Sequence, residues 1–139
     1  MRNKLLRVLA AFLILTMYGS GRSTASRQTG MSLPDHFARC TPAAKLVCED
    51  GKCETTAPKT FYLLGDGREG KRYSRCDSVA CDTYEAVAKQ AGLYENWQLT
   101  EPRGTILKRS LSGDREFVEV ATLGMQVYIS FGECEENSH

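Results

Sequence analysis

Six cysteines, at positions 40, 48, 53, 76, 81 and 134, constrain this 139-residue chain more than any other feature. An even set in a chain that opens with an export signal reads as a disulfide framework. Sequence alone does not choose among the 15 pairings that six cysteines allow. The pairing expected here is Cys48 with Cys53, Cys76 with Cys81 and Cys40 with Cys134: each C-X4-C pair flanks a turn, and the remaining two cysteines bracket the domain. In the chain-entropy picture each short loop contributes about 2 kcal/mol and the long one about 4 to 5 kcal/mol.

The compartment follows from the first 26 residues. Arg2, Lys4 and Arg7 form a basic start, residues 8–18 are an apolar run, and Ser-Thr-Ala-Ser at 23–26 supplies small residues for cleavage, which together is the plan of a secretory signal peptide. The run falls well short of the roughly 20 residues a membrane-spanning helix needs, so contact with a membrane is expected only through this transient leader. Residues 27–39 then read as a flexible arm, 40–134 as one domain and 135–139 as a polar tail. The expected location is periplasmic or secreted. Without the leader, 14 basic residues stand against 17 acidic ones, a net charge of about −3. Such a balance argues against general nucleic-acid binding.

The domain reads as mainly β, a small antiparallel barrel or sandwich. Residues 117–134 form its best hairpin. From Met125 onward Met125, Val127, Ile129 and Phe131 alternate with Gln126, Tyr128 and Ser130, as a half-buried strand requires, which predicts the apolar set in the core. Gly124 supplies the reversal. Asp50-Gly51 within 45–56 is the strongest local hairpin signal. Residues 60–64 and 71–76 read as a second hairpin around a glycine-rich loop, with further strands at 93–100 and 105–111 separated by turns at 101–104 and 112–114. The segment 82–92 fits two templates. Tyr84, Val87, Ala88 and Ala91 have helical spacing before Gly92, while Tyr84, Ala86 and Ala88 would form one face of a strand.

Candidate chemistry is sparse. His36 in the arm and His139 at the last position leave nucleophilic schemes without an oriented base. The two C-X4-C motifs, 22 residues apart, match the spacing of paired zinc knuckles, but an oxidising compartment favours disulfides. No metal or cofactor is expected. A carboxylate-based hydrolase would need a concave site holding at least two of Asp77, Asp82, Glu116 and Glu119. Glu119 interrupts an apolar run and, on a buried face, calls for a partner such as Arg or Lys. The basic cluster Arg68, Lys71, Arg72 and Arg75 surrounds Tyr73, and on a strand Lys71, Tyr73 and Arg75 share a face. That face is the candidate binding surface for an acidic polymer or a partner's carboxylates.

The combination YSRCD at 73–77, CDTY at 81–84, FVEVATLG and YISFGEC within 117–134 resembles small exported bacterial proteins of unassigned activity, with a leader and a β-rich domain. The resemblance spans 40–134 and implies no catalytic residue, cofactor or partner. The architecture is also similar, more loosely, to that of periplasmic C-type lysozyme inhibitors, whose inhibitory motif has no match here. The functional expectation is a non-catalytic exported β domain that binds a protein or an envelope component.

Overall fold

The computed structural model describes residues 26–29, 32–100 and 104–137. Nearly all of the expected leader, the turn residues 101–103 and His139 lie outside the described residues. Ten strands form one antiparallel sheet: β1 (Ser26–Thr29), β2 (Ala38–Glu49), β3 (Lys52–Thr56), β4 (Phe61–Asp66), β5 (Lys71–Cys76), β6 (Ala80–Ala91), β7 (Tyr94–Leu99), β8 (Ile106–Ser110), β9 (Glu116–Leu123) and β10 (Gln126–Glu136). From β4 to β10 each strand pairs with the next, and β2 pairs with both β10 and β4, closing a barrel of eight strands. Closure removes the edges that would otherwise template aggregation. The remaining two strands ride outside it, β1 along the first half of β6 and β3 along the second half of β2.

Local chemistry explains the turns. Asp50 and Gly51 both have positive φ, 50° and 75°, so Glu49 and Lys52 face each other across a two-residue reversal whose twist matches the strands. Gly92 and Gly124 have φ near 62° and start the reversals between β6 and β7 and between β9 and β10. At Gly132 the need is space: a Cβ there would lie 2.1 Å from the Thr41 carbonyl oxygen, where the β2–β10 register shifts.

All three disulfides join the expected partners, Cys40–Cys134, Cys48–Cys53 and Cys76–Cys81. Each links residues directly opposite one another in an antiparallel pair. The first lies in the barrel core and the second on the projecting β2–β3 hairpin. With every described cysteine bridged, no thiolate is left for the zinc-knuckle arrangement.

Three expectations need correction. The segment 82–92 is strand, not helix: β6 runs through it, paired with β5 on one side and with β1 and β7 on the other. Those cross-strand bonds outweigh a weak local helical period, and Tyr84, Ala86 and Ala88 do share the inner face. Within the arm expected at 27–39, the described residues are bonded rather than free. Ser26–Thr29 pairs with β6, and the Phe37 amide donates to the Leu64 carbonyl at 2.9 Å before β2 begins at Ala38. Finally, β10 is inverted relative to expectation. Ser130 is fully buried inside the barrel while Phe131 is exposed and Met125, in the turn, is 89% exposed. Val127 and Ile129 face outward beside Leu46, Val118 and Val120.

The inversion has a cause in the barrel interior. Trp97, Tyr62, Tyr73, Leu64, Leu107 and Phe117 fill the core. An eight-stranded barrel is just wide enough for side chains to fill it or to hold one small ligand, and three of these carry a polar group that must find a partner inside. The inner faces of β9 and β10 supply Glu119 and Ser130 to the two tyrosines, and Glu95 on β7 takes the Trp97 N–H.

Candidate functional site

The two ends of the barrel differ. At one end Phe37 lies over the core, its ring centroid 5.9 Å from that of Trp97. The Asn137 amide donates to the Phe37 carbonyl and its side chain to the His36 carbonyl, 2.8 and 2.7 Å, fastening the cap. Beneath it the buried Arg109 donates through Nε to Glu95 Oε2 at 2.7 Å and through Nη1 to Glu136 Oε1 at 3.2 Å. Trp97 Nε1 donates to the same Glu95 oxygen at 2.8 Å. Phe37 seals this end over Trp97 and its charges are paired, with a pocket of about 250 Å³ beside the cap lined by Arg109, Cys134 and Glu136 among others.

The other end opens on a cavity of about 150 Å³, lined by residues that include Tyr73, Arg75, Tyr84, Leu99, Glu119 and Tyr128. Its floor is Glu119, 2% exposed. Tyr62 Oη donates to Glu119 Oε2 at 3.0 Å and Tyr73 Oη to Oε1 at 3.3 Å, while Tyr62 Oη also bonds Ser130 Oγ at 2.9 Å. The two phenols stack at 5.7 Å. Each carboxylate oxygen therefore receives a neutral donor, and no cation of the described residues comes within ion-pair distance of it. Burial and then the Glu119 charge push Tyr62 up to about 12, and the same two causes raise Tyr73 well above the usual phenol value. Both remain protonated donors throughout the physiological range.

Cations stand back at the mouth. Arg75 lines the cavity. Lys45, opposite Ser130 on β2, has its Nζ 5.0 Å from the Tyr128 ring centroid. Partial burial and then the nearby Arg75 lower the Lys45 pKa, and Glu119 acts against them. On the rim, Leu123 and Met125 at the β9–β10 turn are exposed.

The residues singled out in the sequence fall in different places. Lys71, Tyr73 and Arg75 do share a face, but it is the inner one. Lys71 approaches the Phe37 ring at the sealed end, Tyr73 is buried at 1% exposure, and Arg75 stands at the open mouth. Arg72 points the opposite way and donates to the Asp35 carbonyl, and Arg68 is exposed on the loop before β5. The five make no single outer surface, because the alternation that pairs them cannot say which side is in.

The carboxylates are similarly dispersed. Asp77 caps its turn by accepting from the Val79 and Ala80 amides at 2.7 and 2.8 Å. Asp82 is on β6 near that turn and Glu116 is exposed at the opposite end of β9. Only Glu119 reaches the cavity, so the paired-carboxylate site is not assembled among the described residues. His36 Nδ1 donates locally to the Pro34 carbonyl oxygen at 2.8 Å. Sequence reasoning named Tyr73 only within the basic cluster and missed Tyr62 and the bonds of both phenols to Glu119. Tyr62 and Tyr73 lie 57 and 46 residues from Glu119 along the chain, and only the barrel brings them together.

Comparison with protein-family models, curated proteins and solved structures returns no match to this chain.

Proposed function

We propose that the protein is an exported, non-catalytic binding domain that engages a protein or an envelope component at the open end of its barrel. The observation that carries this reading is the asymmetry of the two ends. A purely structural barrel gains by sealing both, yet only one is capped and charge-paired, and the other leaves a buried carboxylate at the bottom of a cavity with Arg75 at its mouth. Concave sites with a few convergent polar groups are where ligands bind. Exposed Leu123 and Met125 beside the mouth add the apolar contact that partners bury. Three disulfides suit a chain that matures in an oxidising compartment, and the basic leader with its short apolar run supports export.

The test is a pull-down from envelope extract with the full chain expressed through its own leader and tagged at the C-terminus. Capture of a specific component should be lost in Arg75→Glu and in Met125→Glu, and kept in Arg68→Glu on the outer loop. Capture that survives both changes at the mouth, or that depends on Arg68, would refute the open end as the contact.

A further inference from the structure

We infer that the open cavity is a site for a zwitterionic amino-acid group, with the ligand's ammonium against Glu119 and its carboxylate against Arg75. This rests on the open-end reading above and names the chemistry that end would recognise. Four observations lead to it.

The first is an incomplete carboxylate. Glu119 is almost fully enclosed and has about four acceptor positions, of which Tyr62 and Tyr73 use two. A buried carboxylate is normally paired with a cation, as Arg109 shows at the sealed end. Here the cavity side of the group is left for a donor from outside. The second is the wall. Tyr73, Tyr84 and Tyr128 line the same space, and phenol faces attract an ammonium. The third is the opposite charge at the mouth. Arg75 is half-buried, lines the cavity and forms no ion pair with Glu119. Lys45 approaches from β2, close enough for Arg75 to depress its pKa. A ligand carboxylate placed there relieves the repulsion between these two cations, and the guanidinium can hold it bidentately.

The fourth is size. A cavity near 150 Å³ is the class that accepts benzene, with about six non-hydrogen atoms, and alanine has the same number. An isolated amine would leave Arg75 and Lys45 facing each other, and an isolated acid would place a second anion above Glu119. A group carrying an ammonium and a carboxylate on the same carbon satisfies the floor and the mouth together.

The experiment is a titration of the full mature protein, followed by amide chemical shifts, with alanine as probe and with methylammonium and acetate as single-charge controls. Alanine should saturate with a Kd of roughly 0.1–10 mM, as befits so small a ligand, shifting amides of β5, β9 and β10. Each control should bind at least about tenfold more weakly. Nε-acetyl-lysine, which carries the same zwitterion on a longer stem, separates a free amino acid from the same group attached to a polymer. Arg75→Met, at the half-buried mouth, should weaken alanine about tenfold or more while leaving methylammonium unchanged. Glu119→Gln keeps the shape of the floor and should weaken alanine to the level of acetate.

Absence of saturable shifts with alanine would overturn the inference, as would a single-charge control that binds as well as alanine. Either result leaves the open-end reading to the pull-down: capture still lost in Arg75→Glu and Met125→Glu would preserve that reading and retire only the zwitterion. Because Arg75 is half-buried at the mouth and forms no ion pair among the described residues, Arg75→Met keeps the inference testable even where Glu119→Gln fails to fold.

Discussion

Arg109 at one end of the barrel and Glu119 at the other are both charged residues withdrawn from water, and they are treated in opposite ways. Arg109 has two carboxylates in contact, one of them Glu95, itself largely enclosed and also bonded to Trp97. Glu119 has two phenols and a cavity. The contrast teaches how to separate a charge retained for architecture from one retained for use. The first is neutralised within the chain, and the second is hydrogen-bonded by neutral groups and left electrostatically incomplete where a ligand can reach it.

The widest separation between the ends should come from truncating each arginine. Arg109→Met strands Glu95 beneath the cap and should cost about 3–5 kcal/mol, the usual loss when one member of a buried pair is removed. Arg75→Met at the mouth should change stability by less than about 1 kcal/mol. Urea denaturation of the two variants measures both, and equal losses would erase the distinction.

A smaller effect is expected from the phenols. Tyr62→Phe removes the donor to Glu119 and the bond to Ser130 while keeping the ring and its contacts with Tyr73 and Phe117. A loss of about 1–3 kcal/mol is expected, the cost of leaving buried polar groups unsatisfied. A loss near zero would mean that water already completes the floor of the cavity.

The least visible effect at neutral pH belongs to tyrosine ionisation. Tyr62 and Tyr73 have raised pKa values in the folded state, so their contribution to stability is fully present below about pH 10, the ordinary phenol value. It is lost as pH rises toward about 12, where Tyr62 ionises in the fold. The phenolate absorbance of the native protein should therefore rise in two stages, with exposed tyrosines first, and stability should decline across the same window. A single transition near pH 10 with the fold intact would show that these two groups are not held as described.

What could be read from the sequence divides along the same line as the physics. Features set by neighbours in the chain were legible: Asp50-Gly51 forces its reversal, the C-X4-C pairs sit across turns, and Gly124 starts the last hairpin. Alternation also identified which residues share a face, as with Lys71, Tyr73 and Arg75, and with Val127, Ile129 and Phe131. It could not tell inside from outside, because periodicity carries parity and no sign. The usual assumption that the apolar face is the buried one fails on β10, where Ser130 serves Tyr62 in the interior. Glu119 was conspicuous as an acid in an apolar run, but its partners are tyrosines rather than the expected cation. The choice between helix and strand at 82–92 likewise depends on hydrogen bonds to β5 and β7 across the two flanking hairpins, and to β1, which the period within the segment does not register.

β3 ends up outside the closed cylinder, joined to the second half of β2 by its own reversal and its own bridge and exposed along its whole length. Its path is thus set by that adjacent reversal, the bridge and the ladder to β2. Evolution, or a protein engineer, could rewrite the outward positions of that ribbon, or lengthen its tip to display a new peptide, while the cylinder kept its form.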